Sequence, residues 1–134
     1  MPSYSNSSKC KLSTVHEDLQ TLFNEVIKHY DCTIVSGLRT AEEQAKLYTQ
    51  GRTAPGKIVT HKDGYIKKSK HQGGNAVDAI PYPSGYKSKN ELIEFGGFVL
   101  GIAAMLKEQG KINSIIEWGG HWRSFRDRPH FQIK

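Results

Sequence analysis

The sequence predicts an α+β fold, a small antiparallel sheet packed against about three helices. Long stretches with apolar residues at helical spacing alternate with short β-branched runs, and two of those runs lie close together near the end of the chain. The length, 134 residues, suits a single domain over 1–134 that buries a core of its own.

The Ser-rich opening, residues 1–12, reads as a loose arm. Val15, Leu19, Leu22, Phe23, Val26, Ile27 and Tyr30 then trace one face of a first helix, and Thr14 with Glu17 has the spacing of a capping box. Cys32-Thr-Ile-Val-Ser36 is a short strand ended by Gly37. Thr40 and Glu43 cap a second helix from Ala41 to about Gln50, stopped by Gly51. Arg52 to Gly74 is polar, basic and dotted with glycine, too long for an ordinary connection and so a functional or disordered loop. Asn75 to Tyr82 is a buried strand closed by Pro81 and Pro83. Ser88 and Glu91 open a third helix whose apolar face is Leu92, Ile93, Phe95, Val99, Ile102, Ala103 and Leu106. Gly110 ends it. Ile115–Trp118 and His130–Ile133 are the last two strands, with an Arg-rich loop between them.

Composition removes several classes of function. Hydrophobic residues at 37% with thirteen aromatics are too many for a disordered chain. The longest mostly apolar stretch, Gly96 to Leu106, has eleven residues, whereas a membrane crossing needs about 20. The first ten residues carry no apolar core of a secretory signal, so the expectation is a protein that accumulates in the cytoplasm. Cys10 and Cys32 read as two free thiols in that reducing compartment, with a disulfide between them as the alternative that the sequence leaves open. Net charge is +6, and Arg52 to Lys70 holds six basic residues against Asp63 alone. Such a patch attracts a polyanion, or else is a solvated, mobile loop that keeps the protein soluble.

One residue conflicts with good local design. Asp78 sits inside the apolar run Ala76–Ile80, where a carboxylate is partly buried, and a buried charge is costly unless it is paired or binds a metal. The competing reading turns Asp78 outward on a half-exposed strand. His71 lies seven residues earlier, so on one continuous strand the two side chains would point to opposite faces. A turn at Gly73-Gly74 removes that objection. His130 opens the last strand directly after Pro129. Two imidazoles and one carboxylate match the ligand set of a catalytic zinc site that keeps its fourth position for water, although single histidines are more often structural or exposed. Asp127, three residues before His130, is placed to act as the base for such a water. A surface salt bridge to Arg126 or Arg128 explains it as well, and spacing alone does not choose.

Several spaced motifs now carry a resemblance. Ser69-Lys-His71-Gln-Gly-Gly74-Asn-Ala76-Val-Asp78 follows S-x-H-x-x-G-x-A-x-D. Before it stand Ser36-Gly-Leu-Arg39-Thr, Glu43-Gln44, Leu47-Tyr48 and Gly51-Arg-Thr-Ala-Pro-Gly-Lys-Ile-Val-Thr60. After it come Trp118-Gly-Gly120 and Asp127-Arg-Pro-His130-Phe131. Over about residues 34–134 the chain resembles the zinc peptidases that cut D-alanyl or L-alanyl bonds in bacterial peptidoglycan, and in particular the L-alanyl-D-glutamate endopeptidases that bacteriophages use as endolysins. The resemblance implies a hedgehog/D-Ala-D-Ala peptidase-like fold and Zn2+ held by His71, Asp78 and His130. It implies Asp127 as the catalytic carboxylate, Arg39 as the cation that steadies the substrate carbonyl, and Ser69 as a substrate contact. It implies lysis of the host by action on peptidoglycan. The absence of a second domain gives the expectation of no separate cell-wall-binding domain, the absence of a signal that of a protein held in the host cytoplasm until it is released to the wall, and a monomer is expected.

His121 departs from the pattern, since the family usually has an acidic residue after Trp-Gly-Gly. It is also a competing metal ligand, ranked below His130 because the His-Phe ending fits the motif better. His16, His29 and His61 read as structural or exposed. The basic loop gains a reason, as a cationic rim that concentrates the free carboxylates of peptide stems. Within the same class the alternative is a D-alanyl-D-alanine carboxypeptidase or dipeptidase. Outside it stand a non-catalytic zinc-containing module, against which Asp127 speaks, and a small nucleic-acid-binding protein. The last explains the charge but not Asp78, and no zinc-finger, helix-turn-helix or RNA-binding signature is present.

Overall fold

The computed structural model describes residues 2–134, so Met1, the first residue of the expected arm, lies outside the described residues. The elements run α1 (Asn6–Leu12), α2 (Glu17–Val26), β1 (Cys32–Ser36), α3 (Ala41–Thr49), β2 (Ala76–Pro81), α4 (Lys89–Glu108), β3 (Ile116–Trp118) and β4 (His130–Ile133), with short 3-10 turns at Lys70–Gly73 and Gly119–His121. The four strands form one sheet in the order β1-β2-β4-β3, and every neighbouring pair is antiparallel. The expected α+β class with a small antiparallel sheet is the observed one.

Register divides the sheet into two chemically different faces. Ile34 pairs with Ala79, Val77 with Phe131, and Phe131 with Trp118. These side chains are buried and meet α2 and α4. Phe131 lies at the centre, edge-on to Phe23 at 5.6 Å and to Phe95 at 6.0 Å between ring centroids, the geometry aromatic pairs prefer. Because successive residues alternate faces, Asp78, His130, Gln132 and Glu117 fall on the opposite side. A register shift in β1 between Ile34 and Ser36 sets Ser36 beside Asp78, as a bulge does when it re-aims a side chain.

The opening is not loose. Ser5 caps α1 by accepting from the Ser8 N–H, the Tyr4 hydroxyl donates to the Phe23 carbonyl at 2.7 Å, and Ser8 Oγ accepts from the Ile34 N–H at 3.0 Å. The helix is short, but these bonds and the buried Leu12 tie it to β1 and α2. It also displaces the expected capping box. Thr14 Oγ1 donates to Lys11 O and accepts from the Leu38 N–H, so α2 starts later, with His16 Nδ1 accepting from the Asp18 N–H at 2.9 Å. α2 stops at Val26, and the chain turns through Tyr30. The Thr40–Glu43 box of α3 is present as expected. Ser88 caps α4, but Ile93 is exposed rather than on its buried face. Both cysteines are free, Cys10 exposed and Cys32 buried. Burial, together with the nearby Asp31 charge, outweighs a hydrogen bond with Tyr4 and pushes the Cys32 thiol up to about 11.

Candidate active site

Antiparallel pairing of β2 with β4 sets Asp78 directly opposite His130. His71 arrives from a different element, the 3-10 turn Lys70–Gly73, capped by Ser69 Oγ on the His71 N–H. Gly74 ends that turn at φ +73°, a left-handed conformation that glycine adopts without steric cost. The chain thereby folds back, and His71 meets the Asp78 face. His71 Nε2 is 3.3 Å and His130 Nδ1 is 3.2 Å from the same oxygen, Asp78 Oδ1. One ligand atom from each of the three residues lies within 4.8 Å of the others. Both rings are buried and Asp78 is partly so.

This donor set fits a divalent ion. His71 Nδ1 lies 2.9 Å from the Gly37 carbonyl, which can only accept, so Nδ1 carries the hydrogen and in the neutral ring the Nε2 lone pair faces Asp78. Two imidazoles with one carboxylate are ligands that Zn2+ and other first-row divalent ions share. His121 does not join them. It is exposed, with its ring against Trp118 at 4.8 Å. His16 caps α2, His29 pairs with Glu25 at 3.1 Å, and His61 packs on Phe125.

The charges around this group are strongly coupled. Burial alone would raise the Asp78 pKa, but the N–H groups and positive charge that the His130 and His71 rings present to it when protonated outweigh burial and hold the carboxyl well below the usual carboxylate range. Asp127 behaves in the opposite sense. Burial and the neighbouring Asp78 charge raise its pKa against the pull of His130, His71 and Arg39. Its Oδ2 lies 4.0 Å from His130 Nδ1. The salt bridge that Arg126 or Arg128 could have offered Asp127 is not formed among the described residues, whose ion pair for Asp127 is the one with His130; Arg126 Nε donates instead to the Trp122 carbonyl at 2.9 Å. Arg39 Nη2 stands 3.8 Å from Asp78 Oδ2 and also donates to Ser36 Oγ at 2.9 Å.

A cleft of about 1400 Å³ opens over these groups, with Arg39, Ser69, Asp127, Tyr86, Trp122 and Phe125 in its wall. The basic loop forms one side of it and is not a mobile tether. Asp63 Oδ1 accepts backbone N–H groups from Ile66 and Lys67, and Gln72 Nε2 donates to Gly64 O at 2.8 Å. Gln44 is fully buried in α3. Its carbonyl accepts from Arg39 Nη1 at 2.8 Å, and its amide donates to Lys62 O at 2.9 Å and to Thr60 Oγ1 at 3.1 Å. Both glycines of Trp-Gly-Gly are close approaches. A Cβ at Gly119 would strike the Asp127 carbonyl and one at Gly120 the Trp118 ring.

All six residues expected from the sequence therefore gather at one cleft. Sequence reasoning missed Gln44 as the anchor of Arg39, and missed Gln132, Glu117 and Trp122 behind His130. Gln132 could have been found from parity, because residues two apart on a strand share a face.

Several known proteins are similar to this chain. A family model described as phage L-alanyl-D-glutamate peptidase matches residues 2–132. The chain is 33% identical over 118 residues to the peptidoglycan L-alanyl-D-glutamate endopeptidase CwlK of Bacillus subtilis, covering 79% of this chain and 62% of that protein. It thus spans about three-fifths of that relative's length. It is 28% identical to the L-alanyl-D-glutamate peptidase of Escherichia phage T5, covering 98% of this chain and 88% of the relative. In three dimensions it is similar to the Serratia marcescens L-Ala D-Glu endopeptidase ChiX, with TM-score 0.69 and 23% identity over 99% of this chain and 91% of that one, a likeness of fold.

Proposed function

Because the chain belongs to the phage L-alanyl-D-glutamate peptidase family, we propose that it is a zinc-dependent endopeptidase that hydrolyses the L-alanyl-D-glutamate bond in the peptide stems of bacterial peptidoglycan. The observation that carries this reading is the convergence of His71, Asp78 and His130 on one point, with Asp127 and Arg39 beside them.

His71, Asp78 and His130 are the residues that would hold Zn2+, which when bound supplies Lewis acidity toward a carbonyl oxygen and acidifies water toward neutral pH. Asp127 is the general base. It takes a proton from the attacking water and returns it to the amine of the departing D-glutamate. Arg39 places a fixed positive charge in the cleft wall, where it offsets the negative charge that develops on the scissile carbonyl oxygen. Its guanidinium is held by Gln44 and Ser36, so little reorganisation accompanies the reaction. Ser69 lines the cleft, while its hydroxyl oxygen accepts from the His71 N–H; a substrate contact there is compatible with that cap, because a hydroxyl also donates. The lysines of the loop from Arg52 to Lys70 form a cationic rim for the free carboxylates of the stems. In this reading the protein works as a monomer, lyses the host, and reaches the wall from the host cytoplasm.

The test is hydrolysis of purified peptidoglycan followed by release of new amino groups, with metal content measured in parallel. The zinc-loaded protein should cleave, a chelator should stop it, and added zinc should restore it. Asp127→Asn should keep one zinc per chain yet lose about 10²–10⁴-fold in rate. Cleavage by Asp127→Asn at the wild-type rate, or undiminished cleavage by metal-free protein, would overturn the mechanism.

A further inference from the structure

The two histidines of the metal-holding group are oriented by different means. His71 leans on a backbone carbonyl, that of Gly37, which no side-chain substitution removes. His130 leans on a chain of side chains. Its Nε2 lies 2.8 Å from Gln132 Oε1, and Gln132 Nε2 lies 2.8 Å from Glu117 Oε1. Sheet register builds this chain, because Gln132 follows His130 by two residues on β4 and pairs directly with Glu117 on β3.

The direction of each bond follows from which groups can donate. A carboxylate only accepts, so the Gln132 NH2 faces Glu117 and its carbonyl faces His130. That carbonyl only accepts, so His130 Nε2 carries the hydrogen. In the neutral ring the lone pair then sits on Nδ1, the nitrogen that faces Asp78. The same Glu117 oxygen also accepts from Trp122 Nε1 at 3.4 Å. The Trp122 ring lies 5.2 Å from that of His130, so one carboxylate fixes both what His130 donates to and what it leans against.

We infer that Glu117 and Gln132 are positioning residues, a relay that holds His130 in the tautomer whose Nδ1 is free for a metal. The inference rests on the metal-site reading above. Without Glu117 the Gln132 amide has no reason to keep its carbonyl toward His130. Once flipped, it offers an N–H to Nε2, which favours the tautomer with hydrogen on Nδ1 and opposes metal binding. Partners of this kind behind a ligating histidine are worth about 10–100-fold in metal affinity.

The test compares wild type with Gln132→Leu, Glu117→Ala, Glu117→Gln and the double variant Glu117→Ala/Gln132→Leu. Zn2+ affinity is read by competition with a chelator. The His130 Nε2–H proton is read by long-range 1H–15N correlation, in both zinc-loaded and metal-free protein. Gln132→Leu and Glu117→Ala should each weaken Zn2+ binding by about 10–100-fold and lose the protected ring proton to exchange. Glu117→Gln, which keeps an acceptor oxygen, should stay near wild type. The double variant should bind as Gln132→Leu does, because Glu117 acts through Gln132. Gln132→Met carries the same expectation should Gln132→Leu fail to fold. Wild-type Zn2+ affinity in both single variants, or an unchanged ring-proton signal, would overturn the relay while leaving the metal site standing. Failure of the wild type to bind Zn2+ would instead refute the metal reading, and the ring proton in metal-free protein would still report on the relay.

Discussion

Gly96 in α4 tests whether the packing behind the cleft is as tight as the structure has it. The buried indole of Trp118 lies against this glycine, and a Cβ added there would come under 3.0 Å from Trp118 Cε2 and Cζ2. The ring is tightly placed, because a Cβ at Gly120 would also strike Cζ2 and Trp118 Nε1 is held by the Arg128 carbonyl at 2.7 Å. Overpacking of this kind costs about 1–3 kcal/mol. Alanine in a helix interior returns about 1 kcal/mol over glycine, which leaves Gly96→Ala destabilised by about 0–2 kcal/mol. The same helix supplies its own controls. Gly97 and Gly101 have nothing within 4 Å of a built Cβ, so Gly97→Ala and Gly101→Ala should each stabilise by about 0.5–1 kcal/mol. Urea unfolding monitored by Trp fluorescence and circular dichroism measures all three. Peptidoglycan hydrolysis well below the melting temperature should fall in Gly96→Ala alone, since the Trp118–Arg128 bond holds the segment that carries Asp127. A Gly96→Ala protein as stable as Gly97→Ala would refute the reasoning.

Three other expectations follow from the same geometry. Asp18 Oδ2 accepts from the Ser114 hydroxyl at 2.6 Å and from the Ser114 and Asn113 N–H groups at 3.0 and 3.1 Å, and the Ser114 hydroxyl bond first of all lowers its pKa. Asp18→Ala should therefore lose about 1 kcal/mol at neutral pH, modest because the site is open to water. A depressed folded-state pKa means that this stability is present above the unfolded value of about 3.9 and disappears as pH falls through the lower folded value, so the gap between the two proteins should close in acid denaturation midpoints. Arg39→Lys cannot reproduce the fork that spans Gln44 and Ser36; its kcat/KM on peptidoglycan should drop about 10–100-fold with zinc content unchanged. Lys67→Glu/Lys68→Glu should slow hydrolysis of intact walls and flatten its dependence on salt, because rim charges act through long-range attraction that salt screens. Wild-type rates that are indifferent to salt would count against the cationic rim.

Legibility in the sequence tracked how local each signal was. The Thr40–Glu43 box and the apolar periodicity of α4 are local, and the structure reproduces them. Asp78 was legible as a violation, a carboxylate in an apolar strand, and Gly73-Gly74 explained how His71 could reach it. α1 was illegible because its seven residues show no apolar period and are held by contacts distant in sequence, Ser8 to Ile34 and Tyr4 to Phe23. Thr14 misled for the same reason, since its hydroxyl is claimed by Lys11 and Leu38 rather than by Glu17. Gln44 stood among the motifs without a role, and Gln132 was within reach only through its parity with His130 on one strand. What Gln44 and Glu117 do exists only once α3 meets the basic loop and β3 pairs with β4.

The most direct measurement of the central claim is mass spectrometry of purified peptidoglycan after digestion, with wild type set beside Asp127→Ala and a chelator-treated sample. The account predicts new stem peptides that begin at D-glutamate, present with wild type and absent from both controls. Loss of terminal D-alanine with the L-alanyl-D-glutamate bond intact would contradict it, and so would an unchanged wall with one zinc bound per chain.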